Sequence, residues 1–516
     1  MNSYYFTEEH ELFRESLRKF LDVEVKPYID KWEEQRRTPK EIWKKMGDMG
    51  FLGLGYPEKY GGLELDFFYD VVFCEEVWSC FSGGFAINPT VVQYMSGPYI
   101  MKFGSERLKE KYLPGIISGD LVSCIGISEP TAGSDVANIK TTAIREGDYY
   151  IVNGSKTFIT NGVYGDLIVT VVKTNPKAGA AGVSLLVIDR HLEGVSATKL
   201  KKLGWHASDT AELAFDNVKV PAENLIGQEG QGFYYLMGGL QLERLVGAIG
   251  GYAACEEALQ YSLEYMAQRT AFGRPINKFQ VLRHRVAQLA SELEAAKQFV
   301  LYCSRLHNDG KYAVKECSMA KLLTSELSDK LMYQCLQFFG GYGFMEEYKI
   351  ARMFRDSRVG TIGGGTSEIM REIISKMVID SVEYQEAKNP HEPLPKKKAH
   401  SNGHANGHSN GKSKEVEPMN LAKLLPMIEA SVAKAPALGN SLKFDFGDEQ
   451  LVIDGTEDGN KVSTEDMEAD CTVEVSLEDF HKLIRGKLNP MTAVMAGQLK
   501  IKGNMGVAMK LRSLFS

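Results

Sequence analysis

The sequence predicts a multi-domain α+β protein, and three observations carry that expectation. Apolar residues recur at helical spacing over residues 1–121, give way to short β-branched runs over 122–228, and return to helical spacing over 229–383. The stretch 384–417 then loses almost all apolar character, and residues 418–516 regain it with strand-like alternation. At roughly 100 to 200 residues per domain, 516 residues with 44% hydrophobic content hold three or four such units.

In the first segment Thr7 is placed to cap a helix whose first turn carries Glu8 and Glu9. Phe13, Leu17, Phe20 and Leu21 repeat along it before Pro27. In the second, "YYIVNGSKTFIT" (149–160) predicts a hairpin turning at Asn153-Gly154, and "DLIVTVVKT" and "VSLLVID" predict further strands. Helical patterns resume at Gly232, broken by "FFGGYGF" (338–344) and by "VGTIGGGTSEIM" (359–370). The segment 384–417, rich in Pro, Gly, Asn, Ser and Lys, predicts a flexible linker. His400, His404 and His408 stand four apart within it, but Gly403 and Gly407 oppose the helix that would align them on a metal, so a solvated tether is expected. Beyond it Leu442, Phe444 and Phe446 alternate with polar residues, and "CTVEV" (471–475) predicts another strand of a small α+β domain over 418–516.

A net charge of −7 offers no general basic surface, which excludes nucleic acid as an expected partner. Eight cysteines without a CxxC pair fit buried thiols in a reducing compartment better than a disulfide framework or a zinc site. The N-terminal residues show neither a basic n-region nor an apolar h-region, and no apolar run approaches the ~18 residues of a membrane span. A cytoplasmic protein without a transmembrane segment is expected, and no metal site is predicted.

Chemistry is sought in three loops and one helix. In "GISEPTAGSDVANIKTTA" (126–143), Glu129 and Asp135 either serve a ligand or cap local backbone groups. Phe158 and Thr160, at the end of a strand, put an aromatic plane beside a hydroxyl, although core packing explains Phe158 equally well. In "GGLQLERLVGAIGG" (238–251), Leu242, Leu245, Val246 and Ile249 make one face and Glu243 stands beside it, with Gly239, Gly247 and Gly250 at i−4, i+4 and i+7. An interior helix glycine costs ~1 kcal/mol relative to alanine, so three around one carboxylate point to a bulky neighbour. The alternative is close helix packing, with Glu243 and Arg244 paired at its rim. In the loop 359–370, Gly363, Gly364 and Gly365 allow a close backbone approach.

With these segments in hand, residues 1 to about 380 resemble an acyl-CoA dehydrogenase. "SEPTAGSD", "NGSKTFITNG", "DTAELAFDNVKVPAENLIG", "QRTAFGRPI", "LQFFGGYGF" and "RDSRVGTIGGGTSEI" occur in the family's order. The resemblance implies an α-helical N-terminal domain, a central β domain and a C-terminal four-helix bundle, assembled as a homodimer or homotetramer. Residues 419–516 resemble the sterol carrier protein-2 domain, a small lipid-binding fold, through "NPMTAVMAGQLKIKGNMGVAMKLRSLF". The family's activity is the FAD-dependent oxidation of acyl-CoA to trans-2-enoyl-CoA, with electron-transfer flavoprotein as the implied acceptor. Carried over residue by residue, Ile127, Ser128, Phe158 and Thr160 contact the flavin, and Ser134 lies near the phosphopantetheine or a flavin phosphate. Arg269, Phe272, Gln337 and Gly341 grip the FAD of the neighbouring subunit, and Thr366 and Glu368 contact that of their own. Asn138, where a small residue is usual, and Trp205-His206, where many members carry an Arg, depart from the pattern.

Many members place the catalytic Glu where Gly364 stands here. Long-chain and isovaleryl acyl-CoA dehydrogenases instead combine a small loop residue with a Glu in an "ERL" stretch, as in Glu243-Arg244-Leu245. The resemblance therefore implies Glu243 as the base, with Arg244 beside the substrate and the Gly364 N–H polarising the thioester carbonyl. Glu368 matches the cofactor-contact position rather than that of a base. Medium-to-long acyl chains are expected, with short branched chains of the isovaleryl type as the alternative. A direct oxygen-using oxidase and a lipid-binding module without catalysis are less consistent with the intact motifs.

Overall fold

The computed structural model describes residues 4–379, 421–432, 438–456, 459–484 and 499–503; the predicted linker and its three histidines lie outside them. The chain divides into two units, Met1–Asp380 and Ser381–Ser516.

The first unit opens with the helix Glu8–Glu24, where Thr7 and His10 satisfy each other's backbone N–H groups in a capping box. His10, Leu17, Phe20 and Leu21 are its buried residues, so the apolar repeat turns inward as its spacing requires. Further helices follow, including Phe67–Trp78 and Gly83–Thr90. A π-helical segment, Val91–Ser96, then runs directly into the helix Gly97–Phe103.

The middle part is an eight-stranded sheet built from β1 (Ser123–Gly126), β2 (Thr142–Glu146), β3 (Tyr149–Thr160), β4 (Leu167–Lys173), β5 (Val183–Asp189), β6 (Val195–Lys199), β7 (Thr210–Pro221) and β8 (Leu225–Ile226). Its order is β6-β7-β3-β2-β4-β5-β8, and β1 lies parallel to β4. The expected hairpin at Asn153-Gly154 does not form, because Tyr149–Thr160 is one continuous strand. The turn falls instead at Gly147 (φ +60°), between β2 and β3. Gly154 marks a bulge where the β3–β7 register shifts, and a Cβ there would lie 2.6 Å from the Cα of Thr141. The glycine thus serves a close backbone approach rather than a chain reversal.

The long helix Gly232–Gln268 then packs with the helices Gln280–Asn308 and Val314–Phe338, and Ser367–Ile379 packs against Val314–Phe338. These four form the predicted bundle. The sheet between two helical regions matches the expected α, β, α order.

In the second unit the helices Leu421–Val432 and Leu477–Ile484 accompany a five-stranded sheet. Ser441–Asp445 lies at its centre, antiparallel to Gln450–Asp454 and parallel to Cys471–Val475. Leu442, Phe444, Leu451, Cys471 and Phe480 are fully buried, which realises the predicted alternation. All eight cysteines of the chain are buried and outside any disulfide.

Candidate active site

Glu243 sits inside the long helix with only 8% of its surface exposed. Its carboxylate accepts a hydrogen bond of 2.8 Å from the hydroxyl of Tyr99, from the helix Gly97–Phe103. Burial pushes the carboxyl up to about 7, against the opposing pull of Tyr99 and Arg244. That is the working range of a general base at neutral pH. Arg244 does not form the rim pair with Glu243 that one sequence reading allowed. It is itself buried and reaches the hydroxyl of Ser318 only at 3.5 Å, while its Nε has no partner among the described residues.

The three glycines around Glu243 have three different surroundings. A Cβ on Gly239 would lie 2.2 Å from the Tyr99 hydroxyl, and one on Gly250 would lie 2.6 Å from the indole of Trp78. Those two glycines make room for aromatic side chains of the N-terminal helices. Gly247 is exposed, and its Cβ direction is open. Close packing therefore accounts for two positions, and the third leaves unfilled space one turn beyond the carboxylate.

The triple-glycine loop is tied to the same region through one helix. Lys321 donates to the carbonyl of Gly365 at 2.6 Å, and Ser318, which receives Arg244, lies one turn before it on the helix Val314–Phe338. Gly364 has φ +66°, nothing stands within 4 Å of its Cβ direction, and among the described residues its N–H meets no acceptor. Glu368 is exposed at the start of the helix Ser367–Ile379. Its own backbone N–H and the Thr366 hydroxyl hold its carboxyl below the ordinary value, the opposite of the raised pKa that suits a general base at neutral pH. Thr366 and Glu368 line a cavity of about 340 Å³ together with Arg358 and Ile362.

At the sheet, Lys156 is fully buried on β3 and donates to the carbonyl of Ile127 and to Glu129. Glu129 also accepts from the backbone N–H groups of Lys140 and Thr141. Burial raises the Glu129 carboxyl, but Lys156 and these N–H groups outweigh it and leave a net lowering. Glu129 is thus a buried cap that shapes its loop, the structural alternative of the sequence reading, while Asp135 and Ser134 are exposed. The Ser128 carbonyl accepts from Thr157, which joins the loop carrying Ile127 and Ser128 to the strand carrying Phe158 and Thr160. Phe158 is no core residue: it is 71% exposed, with φ +63°. Phe272 stands 95% exposed with φ +51°. An aromatic residue in the left-handed region costs of order 1–3 kcal/mol, a strain found where a ligand is gripped.

Arg269 lies over the ring of Tyr342 at 5.4 Å, and Gln337 and Gly341 are exposed beside it, with open space over Gly341. Two strained, uncovered aromatic rings and an open glycine fit a large flat ligand such as FAD. Of the departures, Trp205 is accounted for by packing: its backbone N–H donates to Asp356, its ring meets Trp78 edge-on, and Gly83 leaves room for its indole. Asn138 folds back onto Asp135 of its own loop. Sequence reasoning missed Tyr99, Lys321 and Lys156, none of which stands near the residue it serves along the chain.

Comparison with known proteins bears on the family and the fold. The N-terminal, middle and C-terminal acyl-CoA dehydrogenase domain models match residues 7–120, 124–218 and 230–379, and the SCP-2 sterol transfer family model matches 421–516. The chain therefore belongs to the acyl-CoA dehydrogenase family of FAD-dependent oxidoreductases and carries a C-terminal SCP2 domain. Among its relatives, the mitochondrial long-chain specific acyl-CoA dehydrogenase of Rattus norvegicus is 40% identical over 379 residues, covering 72% of this chain and 87% of its own. The mitochondrial isovaleryl-CoA dehydrogenase of Arabidopsis thaliana is 38% identical over 367 residues, covering 70% of this chain and 90% of its own. The crystal structure of acyl-CoA dehydrogenase from Geobacillus kaustophilus superposes with a TM-score of 0.72 at 46% identity, covering 73% of this chain and all of that one. Among the described residues no helix is long and apolar enough to cross a membrane.

Proposed function

We propose that the enzyme dehydrogenates medium-to-long-chain acyl-CoA, with Glu243 taking the α-proton of the thioester. The observation that carries this reading is the contrast between two carboxylates. Glu243 is desolvated and pushed up to about 7, whereas Glu368 is exposed and held low. When bound, FAD supplies the acceptor for the hydride that leaves the β-carbon. Ile127, Ser128, Phe158 and Thr160 would hold it at the sheet edge, and Thr366 and Glu368 at the loop. Arg269, Phe272, Gln337 and Gly341 would reach the FAD of a second subunit in a homodimer or homotetramer, so cofactor binding would require assembly.

The chain's own residues then have distinct tasks. The Gly364 N–H donates to the thioester oxygen and makes the α-proton more acidic. Arg244 lines the substrate side beside Glu243, and Ser134 meets the phosphopantetheine arm. The small side of the loop leaves room for Glu243 to approach. A second reading, short branched acyl groups, draws on the identity to isovaleryl-CoA dehydrogenase, which nearly equals that to the long-chain enzyme. Electron-transfer flavoprotein is the proposed acceptor, and the SCP2 domain is proposed to bind lipid or acyl-CoA and raise its local concentration. Anaerobic titration with acyl-CoAs of graded length, following loss of the flavin band, tests the reading. Bleaching should be fastest at medium-to-long chain lengths, and a preference for isovaleryl-CoA would replace it with the branched-chain alternative.

A further inference from the structure

We propose that Tyr99 is a positioning residue for the proton-abstracting carboxylate: its hydroxyl, seated in a notch left by Gly239, holds Glu243 Oε1 and sets the direction from which that carboxylate meets its substrate. The inference rests on the reading of Glu243 as the base. Three independent features converge on the contact. The hydroxyl lies 2.8 Å from Glu243 Oε1, and both residues are buried, Tyr99 to 2% exposure. Gly239, one turn before Glu243, is the position whose Cβ would lie 2.2 Å from that hydroxyl, so a helix-weakening residue stands where any side chain would expel Tyr99. The helix that carries Tyr99 follows the π-helical segment Val91–Ser96, and such a segment shifts the angular register of everything after it.

A buried tyrosine needs a hydrogen-bond partner, and a backbone carbonyl would have met that need without a glycine or a π-turn. Donation to an ionised carboxylate does more. It favours the charged form and removes rotational freedom from the side chain. On its own helix Glu243 feels the charge of the neighbouring Arg244, and around Arg244 stand Tyr312, Cys317 and Lys321. His307 and Lys102 lie toward Gln241, while Glu75 and Lys297 meet the long helix farther on, at Tyr252 and Glu256. Tyr99 is thus the hydroxyl donor to this carboxylate among the described residues.

The test uses the FAD-loaded enzyme as wild type, Tyr99→Phe, Gly239→Ala and Glu243→Gln. Infrared difference spectra against pH follow the protonated carboxyl band, assigned to Glu243 by its absence in Glu243→Gln. The pH profile of kcat/KM is measured in parallel. In Tyr99→Phe both the band and the acid limb should move up by about one pH unit. The rate should then fall roughly fivefold at pH 7 and recover toward the wild-type value near pH 9, while KM changes little. Gly239→Ala, which keeps every polar group but displaces the hydroxyl, should move both in the same direction. A merely structural role would lower the rate at all pH values without moving the limb. An unmoved band and limb in Tyr99→Phe would overturn the inference while leaving Glu243 as base. Near-wild-type bleaching by Glu243→Gln would overturn the base itself, and the infrared titration would still report whether Tyr99 holds the carboxylate.

Discussion

Lys321 Nζ donates to the carbonyl of Gly365 at 2.6 Å and so pins the triple-glycine loop to the bundle helix whose previous turn meets Arg244. A glycine-rich loop has the most backbone freedom to lose, and this one carries the Gly364 N–H. Lys321→Met should therefore lower the rate of flavin bleaching at saturating acyl-CoA by roughly 10- to 100-fold, the scale of a misplacement of about 1 Å. Burial, reinforced by Arg244, lowers the Lys321 ammonium to about 8. Its folded value lies below its unfolded one, so the cost of holding the charge is present below about pH 8 and fades as pH rises toward 10.5. The fold gains stability across that window while the latch loses its charged donor. Bleaching should accordingly decline above pH 8 in the wild type and persist in Lys321→Arg; equal alkaline profiles would remove Lys321 from the loop's control.

Glu243→Gln keeps shape and hydrogen bonding but cannot accept a proton. FAD should remain bound while bleaching slows by ~10² to 10⁴, the usual contribution of a general base. In the wild type, kcat/KM should rise with pH through about 7, as the raised carboxyl ionises, and this limb should vanish in the variant. Glu368→Gln should act on FAD affinity instead, read from flavin retained after gel filtration. A loss of bleaching in Glu368→Gln with FAD fully bound would exchange the two roles.

Adding Gly364→Glu to Glu243→Gln offers a carboxylate from the loop side. The space is open, since nothing lies within 4 Å of the Cβ direction, but φ is +66° there. A side chain in that region costs of order 1–2 kcal/mol, so the loop should resist the change. Partial rescue is expected, a minor fraction of the wild-type rate, with a shift toward shorter or slimmer acyl chains because the new side chain occupies the space the glycine left. Stopped-flow bleaching with acyl-CoAs of two lengths measures both effects, and an undiminished long-chain preference in the rescued enzyme would place the acyl chain elsewhere.

The α, β, α order and the strand alternation of the second unit were legible because they depend on local periodicity. Leu17 and Leu21 face inward for the same reason that they stand four apart. Asn153-Gly154 misled because the dipeptide that favours a two-residue turn also suits a bulge, and only the approach of Thr141 decides between them. Glu243 could be picked out by its glycines and by family resemblance, but its partner could not. Tyr99 lies 144 residues away, and nothing in "GPYIMKF" marks one hydroxyl as the donor to a distant carboxylate. The same holds for Lys156, whose burial beside Glu129 comes from sheet packing rather than from any local pattern. Reading three glycines as one feature was too coarse, because Gly239 answers to Tyr99, Gly250 to Trp78 and Gly247 to open space.

That difference gives opposite expectations for two conservative changes on one helix. Gly247→Ala adds a methyl group to open space at a helix-interior position, so it should stabilise the folded enzyme by roughly 0.5–1 kcal/mol through helix propensity alone. Gly250→Ala drives a Cβ to 2.6 Å from the Trp78 indole, which cannot retreat easily because Trp205 packs against it edge-on at 6.0 Å. Overpacking of this kind costs typically 1–3 kcal/mol, so the second variant should be the less stable despite the same gain in propensity. Denaturant titration without acyl-CoA should rank them Gly247→Ala, wild type, Gly250→Ala. With substrate the first ranking should reverse, because the open space beside Gly247 lies one turn from Glu243, where the acyl chain is proposed to pass. Gly247→Ala should then raise KM for long-chain acyl-CoA while leaving FAD bound, and an unchanged KM would move the chain's path off this face of the helix.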